Sequence, residues 1–294
     1  MKNFSIVKNW KIFFAISIIG LMIGYGSMIF RGFNLGIDFT GGSIMDLKFE
    51  KAVQVSQVRE VLGRHKLGGA IIQLEGNDSA VTTSQGVLIR TPVIADNDRT
   101  AVMSDMEKTL GKFDIRRVEN VGATIGGELI QQAAIAIFLS WVLMVLYITV
   151  RFQLNFALAA IIALIIDVSV TLSWFSLLQL EIDSTFVAAL LTVVGYSVNG
   201  TIVIFDRIRE NLKIHRRSET VTEMIDNSIK STLTRTVYTT ITTLFAIVAI
   251  FLFGGETIHN FSFAMLVGCC SGAYTSILLA GTIWLFLQHK KAGE

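Results

Sequence analysis

Only one proline interrupts the 294 residues, charged side chains make up 16% of them, and cysteine occurs twice. Each shortage excludes something. A soluble domain carries about 25% charged residues, and here the deficit is concentrated in long apolar runs, so it reports a bilayer rather than a large water-soluble core. The mean hydropathy of +0.60 agrees. Cys269 and Cys270 are adjacent inside an apolar run; they offer neither a metal-ligand spacing nor a disulfide framework and read as small packing residues. No G-x-x-x-x-G-K-[ST] sequence occurs, which excludes ATP held in a P-loop as an energy source. A net charge of +2 is too small to suggest a nucleic-acid partner. No cofactor or metal is expected.

What is present is a set of apolar segments of membrane length. A span needs about 20 mostly apolar residues, and Ile12 to Phe30, Ile130 to Val150, Phe156 to Leu178, Ser184 to Phe205, Thr236 to Phe253 and Phe261 to Leu287 qualify. The first is too long for a signal-peptide core and no A-x-A-like site follows it, so it reads as a retained anchor. Lysine and arginine fall in alternate loops: Lys2, Lys8 and Lys11 at the start, Arg151, then Arg207, Arg209, Lys213, Arg216, Arg217, Lys230 and Arg235, and finally Lys290 and Lys291. The intervening loops, Gln179 to Asp183 and Gly254 to Asn260, have none. This bias predicts a multi-pass protein of the cell (inner) membrane with both termini in the cytoplasm.

That orientation exports residues 31–127, a segment of ordinary soluble composition between the tail and first span (1–30) and the remaining spans (128–294). Its pattern predicts a strand at Ser43 to Phe49, a helix at Val55 to His65, a strand at Ala70 to Leu74, a polar loop containing Gly76, a strand at Val87 to Ile94, a helix at Arg99 to Leu110 and a strand at Ile115 to Val121. The order β-α-β-β-α-β is ferredoxin-like. The expected fold class is therefore a membrane α-helical protein of six spans with an inserted α+β extracytoplasmic domain. At about 218–234, a Thr220/Glu223 capping box and apolar residues at Val221, Ile225, Ile229 and Leu233 predict a cytoplasmic amphipathic helix, lying on the membrane or packed on the spans.

Ionisable and hydroxyl groups inside a bilayer need a reason. Asp167 lies near the middle of the third span, and Arg235 opens a threonine-rich fifth span in which Thr239 and Thr243 continue its face. Asp167 is either a structural carboxylate bonded to another helix or a working one, and it is the best internal counter-ion for Arg235. Arg235 is otherwise a snorkelling interfacial cation. The sixth span carries Ala264, Gly268, Gly272, Ser276 and Ala280 at four-residue spacing, a face for close approach of another helix in the same or another chain; Gly20 and Gly24 form a shorter one. An intramembrane serine protease is disfavoured. Gly195-Tyr196-Ser197 hints at a nucleophile, yet His65, His215, His259 and His289 all lie outside the spans, and a serine needs an adjacent base.

Two long motifs identify a family. Gly36-Ile37-Asp38-Phe39-Thr40-Gly41-Gly42 follows the first span, and Val194-Gly195-Tyr196-Ser197-Val198-Asn199 with Thr201 to Asn211, including Asp206-Arg207, closes the fourth. Together they resemble the SecD/SecF family of the bacterial Sec protein-export machinery, on its SecF side. The resemblance implies no enzyme but a six-span half, like those of RND transporters, paired with SecD and assisting the SecYEG channel late in export at the expense of the proton or sodium gradient. YajC, the exported unfolded polypeptide and membrane lipid are the further partners it implies. Arg235 and Thr239 fall where the family places residues of its ion pathway and Asp167 falls on a family aspartate, so that Asp167, Asn199, Arg235 and Thr239 are the ion-pathway candidates. Gly200 stands where many relatives have aspartate, so the titrating carboxylate is expected from SecD, and a scaffold without ion coupling remains an alternative. So does an RND-type exporter half for small molecules or lipids.

The charge bias generates a topology test. Single cysteines at Asn77 and Ser79 should react with an impermeant maleimide on intact cells, whereas one at Lys213 should react only after permeabilisation; labelling of the Lys213 variant in intact cells would reverse the orientation.

Overall fold

The computed structural model describes residues 5–75, 83–214, 219–255 and 258–292. Lys2, Gly76, Asn77, Ser79, His215, Arg216 and Arg217 lie outside the described residues. The helices are α1 (Trp10–Arg31), α2 (Ile37–Thr40), α3 (Val55–Arg64), α4 (Asp96–Leu110), α5 (Ala123–Arg151), α6 (Leu154–Leu178), α7 (Ser184–Ile214), α8 (Val221–Phe253), α9 (His259–Tyr274) and α10 (Gly281–Ala292). The strands are β1 (Asn34–Leu35), β2 (Gly42–Gln54), β3 (Ile71–Leu74), β4 (Thr83–Thr91), β5 (Phe113–Val121) and β6 (Glu181–Ile182). Two compact units result: Met1–Asn34 with Ala133–Glu294, and Leu35–Gln132.

In the smaller unit the sheet order is β3-β4-β2-β5, every neighbouring pair antiparallel. That is the ferredoxin-like arrangement which the order of elements predicts. Alternate residues of β2 (Met45, Leu47, Phe49) and of β4 (Val87, Ile89) turn to one face, where Val58, Val61 and Leu62 of α3 and Val102 and Met106 of α4 close the core. β4 ends at Thr91, short of the expected Ile94, because Pro92 supplies no N–H to continue the ladder. The paired glycines of the first motif have a backbone role. Gly41 and Gly42 have φ of 70° and 135°, and a Cβ on Gly42 would stand 2.7 Å from the Thr91 carbonyl oxygen, so only glycine fits there.

In the larger unit, six helices among the described residues are long and apolar enough to cross a membrane: α1, α5, α6, α7, α8 and the stretch His259–Gln288. The centre belongs to α6, α7 and the sixth span. In α6, 61% of the apolar stretch is buried, against 6% in α5, so α6 reads as a core helix and α5 as a peripheral one. At one end of the core the Phe156 ring stacks on Trp284 at 4.8 Å and meets Phe205 at 5.1 Å. α1 lies along α6, with Tyr25 Oη 2.8 Å from Ser169 Oγ and Ser27 Oγ 3.0 Å from Ser176 Oγ. Asp183 starts α7 by accepting the Phe186 N–H at 2.9 Å.

One expectation changes and two open readings are decided. Of the two readings of the helix at 218–234, packing on the spans holds: it is the first part of α8, continuous to Phe253. The Thr220/Glu223 capping box forms, but no glycine or proline after it can end the helix before the apolar run begins. Its Ile225 and Ile229 are buried, 3.1 and 3.3 Å from where a Cβ on Gly281 would stand. The sixth span is not one α-helix, because Thr275–Ala280 forms a π-helical segment. The small-residue face of that span, whose partner was open, packs within the chain. A Cβ on Gly268 would collide with the Val193 side chain of α7, and one on Gly272 would lie 3.0 Å from Ser197 Cβ. Of the shorter pair, only Gly24 meets a neighbour, Ser173 of α6; Gly20 meets nothing.

The basic ends gather on one side of the bundle. Arg209 at the end of α7 donates to the Arg151 carbonyl at 2.8 Å, and the Ser5 hydroxyl and Val7 N–H just before α1 donate to Asp226 near the start of α8.

The packing at Gly268 gives a direct check. Gly268→Ala should lower stability by about 1–3 kcal/mol, because the stiff branched Val193 cannot swing aside. Gly20→Ala should leave the thermal midpoint in detergent unchanged or slightly raised. Equal midpoints for the two variants would show that the contact with α7 carries no weight.

Candidate functional site

The third, fourth and sixth spans converge on Asp167, whose side chain is 0% exposed. Its carboxylate accepts from three hydroxyls on two other spans. Ser197 of α7 donates to Oδ2, Ser271 of α9 to Oδ1 at 2.6 Å, and Thr275 of the π-helical segment to Oδ1 and Oδ2 at 3.0 and 2.9 Å. The π turn carries Thr275 and Ser276 onto this wall of the core, and such segments cluster at functional sites. Thr275 Oγ1 faces the carboxylate; Ser276 Oγ lies 3.0 Å from Thr201 Oγ1 and donates to the Ser197 carbonyl at 3.4 Å. Ser197 thus bonds Asp167 through its hydroxyl and Ser276 through its carbonyl, and the Ser276 and Thr201 hydroxyls pair beyond it. Gly200 adjoins this pair, since a Cβ there would stand 3.0 Å from Ser276 Oγ.

The chemistry of this cage differs from that of a salt bridge. Among the described residues no basic side chain pairs with Asp167. A hydroxyl can donate to a carboxylate or rotate to accept from a carboxylic acid. Hydroxyl partners therefore satisfy either protonation state, whereas a guanidinium partner would hold the group ionised. Arg235 is not that partner: it is exposed on the outer surface of α8, so the expected internal pair does not form. The physical reason is helical phase, because α8 turns Thr236 and Thr240 inward and Arg235 and Thr239 outward. Thr239 Oγ1 bonds its own helix, at 3.0 Å from the carbonyls of both Arg235 and Thr236. Asn199 is also exposed, on the outer face of α7.

Arg235 lines a cavity of about 380 Å³ between α5, α7 and α8, together with Arg151, Asp206, Arg207 and Glu210. Arg207 is bound to Glu210 at 2.6 Å and donates to Ser231 Oγ at 3.1 Å.

Residues 101–290 match the family described as protein export membrane protein SecD/SecF, C-terminal, and residues 26–53 match the SecD/SecF GG motif. The chain is 66% identical over 290 residues to the protein translocase subunit SecF of Acidaminococcus fermentans, covering 99% of each chain. It belongs to the SecF family. The SecF of Haemophilus influenzae is 41% identical over 93% of this chain and 83% of its own length. Among solved structures, the crystal structure of SecDF, a translocon-associated membrane protein from Thermus thermophilus, superposes over 97% of this chain with a TM-score of 0.87 at 33% identity. SecDF in a super-membrane-facing form gives 0.71 over 99% at 32% identity. This chain spans 39% of the length of either SecDF chain.

Within this SecF-family chain, the residues brought to one site are Asp167 from the third span, Ser197 from the second motif, and Ser271, Thr275 and Ser276 from the sixth span. Sequence reasoning found Asp167 and assigned Ser276 and Gly272 to packing, but missed Ser197, Ser271 and Thr275 as its ligands. Ser271 and Thr275 are four apart, beside the small-residue face, and that spacing was the available signal. Asn199, Arg235 and Thr239 lie away from the cage and face outward.

Removing the carboxylate orphans several donors at once. Asp167→Ala should lower the unfolding free energy in detergent by about 3 kcal/mol or more, whereas Asp167→Asn, whose amide the hydroxyls can satisfy by rotating, should cost less than half of that. Equal losses would mean that the cavity left behind, rather than the hydrogen bonds, sets the cost.

Proposed function

We propose that this chain is the SecF subunit of a protein translocase: an auxiliary membrane half that pairs with SecD and helps complete export by using the transmembrane ion gradient. The full-length identity to a translocase subunit SecF carries this reading. The proposed orientation puts both termini and the basic bundle end in the cytoplasm and unit 35–132 outside. SecYEG is the channel it assists, and the exported chain its substrate. The role is mechanical coupling, with no chemical step on the substrate.

Two polar surfaces support the pairing. A stripe of Ala188, Thr192, Gly195 and Asn199 runs along the exposed face of α7, and Arg235 with Thr239 continues the polar surface on α8. An amide facing hydrocarbon is costly, and small residues allow a second helix to approach closely. SecD, of related architecture, covers this face in our reading and offers Arg235 its carboxylate.

Asp167 is the group within this half that we assign to proton binding. Ser276, next to Thr275 of its cage, lies beside Gly200, the position where many relatives carry aspartate. Exchange of protons between Asp167 and the paired surface needs water to bridge its cage to Ser276 and Thr201, because the link through Ser197 runs over its backbone carbonyl, which holds no transferable proton.

Export of a slow Sec substrate, followed with and without a collapsed gradient, separates this from a scaffold role. Arg235→Ala and Asp167→Asn should each reduce gradient-dependent export several-fold while leaving co-purification with SecD intact for Asp167→Asn. Wild-type export by both variants would leave this half a scaffold, and co-purification with a small-molecule exporter in place of SecD would favour the exporter reading.

A further inference from the structure

A second cavity, of about 390 Å³, opens where the α5–α6 turn meets the end of α7, and Arg151, Phe152, Gln153, Phe156, Arg209 and Lys213 line it. Three of these are cationic and, among the described residues, no carboxylate lines it. The two guanidiniums share one aromatic ring: those of Arg151 and Arg209 each sit 5.4 Å from the centroid of Phe152. Arg209 is fixed further by its bond to the Arg151 carbonyl at 2.8 Å. The nearest acid, Asp206, stands 4.0 Å from Arg151, at the limit of an ion pair, and lies outside the cavity. Two cations gathered on one ring repel each other, and the ring's quadrupole offsets only part of that. A bound anion would relieve it.

We propose that this cavity binds the phosphate of an anionic phospholipid, with Arg151, Arg209 and Lys213 on the headgroup. The apolar half of the site distinguishes a lipid from a free phosphate. Phe152, Phe156 and Leu212 line it, and Leu154 and Leu158, 55% and 41% exposed, leave apolar surface on the outer face of α6 where acyl chains would run. The position fits as well: Arg151 ends one membrane-length helix and Leu154 begins the next, so the cavity lies at the boundary between hydrocarbon and headgroups. Basic pockets between spans at this depth suit anionic headgroups, and each cation near such a surface contributes about 1 kcal/mol. Arg presents a planar fork that two phosphate oxygens can accept from together.

The test uses the purified full-length chain in neutral detergent, titrated with phosphatidylglycerol, phosphatidylcholine or inorganic phosphate while the thermal midpoint is read. Phosphatidylglycerol should stabilise saturably and the other two should not. Arg209→Gln should weaken the apparent affinity about 5-fold, and adding Lys213→Gln should weaken it by about the same factor again. Lys230→Gln, an exposed cation on α8 outside the cavity, should change nothing. If the Arg209 variant does not fold, Lys213→Gln alone carries the test, because that exposed side chain has no structural contact to lose. Unchanged phosphatidylglycerol affinity in the variants would overturn the site. Equal stabilisation by inorganic phosphate would make it a free-anion site, and equal stabilisation by phosphatidylcholine would make it ordinary solvation by lipid. Stronger competition by a soluble polyglutamate peptide would place an acidic protein segment there instead.

Discussion

A carboxylate inside an apolar bundle must be hydrogen-bonded, neutralised or absent, and Asp167 meets that demand with hydroxyls drawn from α7 and the sixth span. Those helices also pack most closely, because Gly268 and Gly272 let the sixth span approach α7 until side chain meets backbone. The polar site and the tight packing depend on each other. Without the glycines, Ser271 and Thr275 would sit too far from Asp167. Without the carboxylate, three buried hydroxyls would lose their acceptor. The π-helical segment belongs to the same arrangement, since it adjusts the helical phase just where Thr275 and Ser276 must reach two different partners.

The periphery follows the opposite rule. Helices α5 and α8 bury little of their surface within this chain, and α7 leaves Asn199 on its outer face. A membrane protein that stood alone would turn such groups inward. The distribution is that of one half of a larger helical assembly, which agrees with the chain's spanning 39% of the length of a SecDF polypeptide. The inner site is complete from this chain alone, whereas the outer polar face is not, and that division separates the proton-binding proposal for Asp167 from the pairing proposal for Arg235.

The basic end of the bundle adds a third kind of constraint. There the cations are not buried, and Arg151 meets Asp206 across the spans only at 4.0 Å. They crowd around Phe152 and the ends of α5 and α7, held by cation–π contacts and one backbone bond. Their arrangement is ordered enough to select a ligand yet open to the headgroup layer.

Much was legible in the sequence because it depends on short-range rules. Span length follows from apolar runs, and the ferredoxin-like unit from alternating two-residue and helical periodicities. The Gly41-Gly42 pair and the motif around Asp206 sufficed for the family. The sequence also marked Asp167 as unusual, since any carboxylate in a bilayer is. Tertiary structure alone decided what surrounds it. Ser197, Ser271 and Thr275 are ordinary hydroxyls in sequence, and they become ligands only when three helices adopt one relative phase. The same holds for Arg235. Its position four residues before Thr239 was plain, but whether that face turned toward Asp167 or away depended on the docking of α8 through Ile225 and Ile229 against the sixth span. A residue's place along a helix is local information; the direction in which the helix presents it is set by packing against partners far away in the chain.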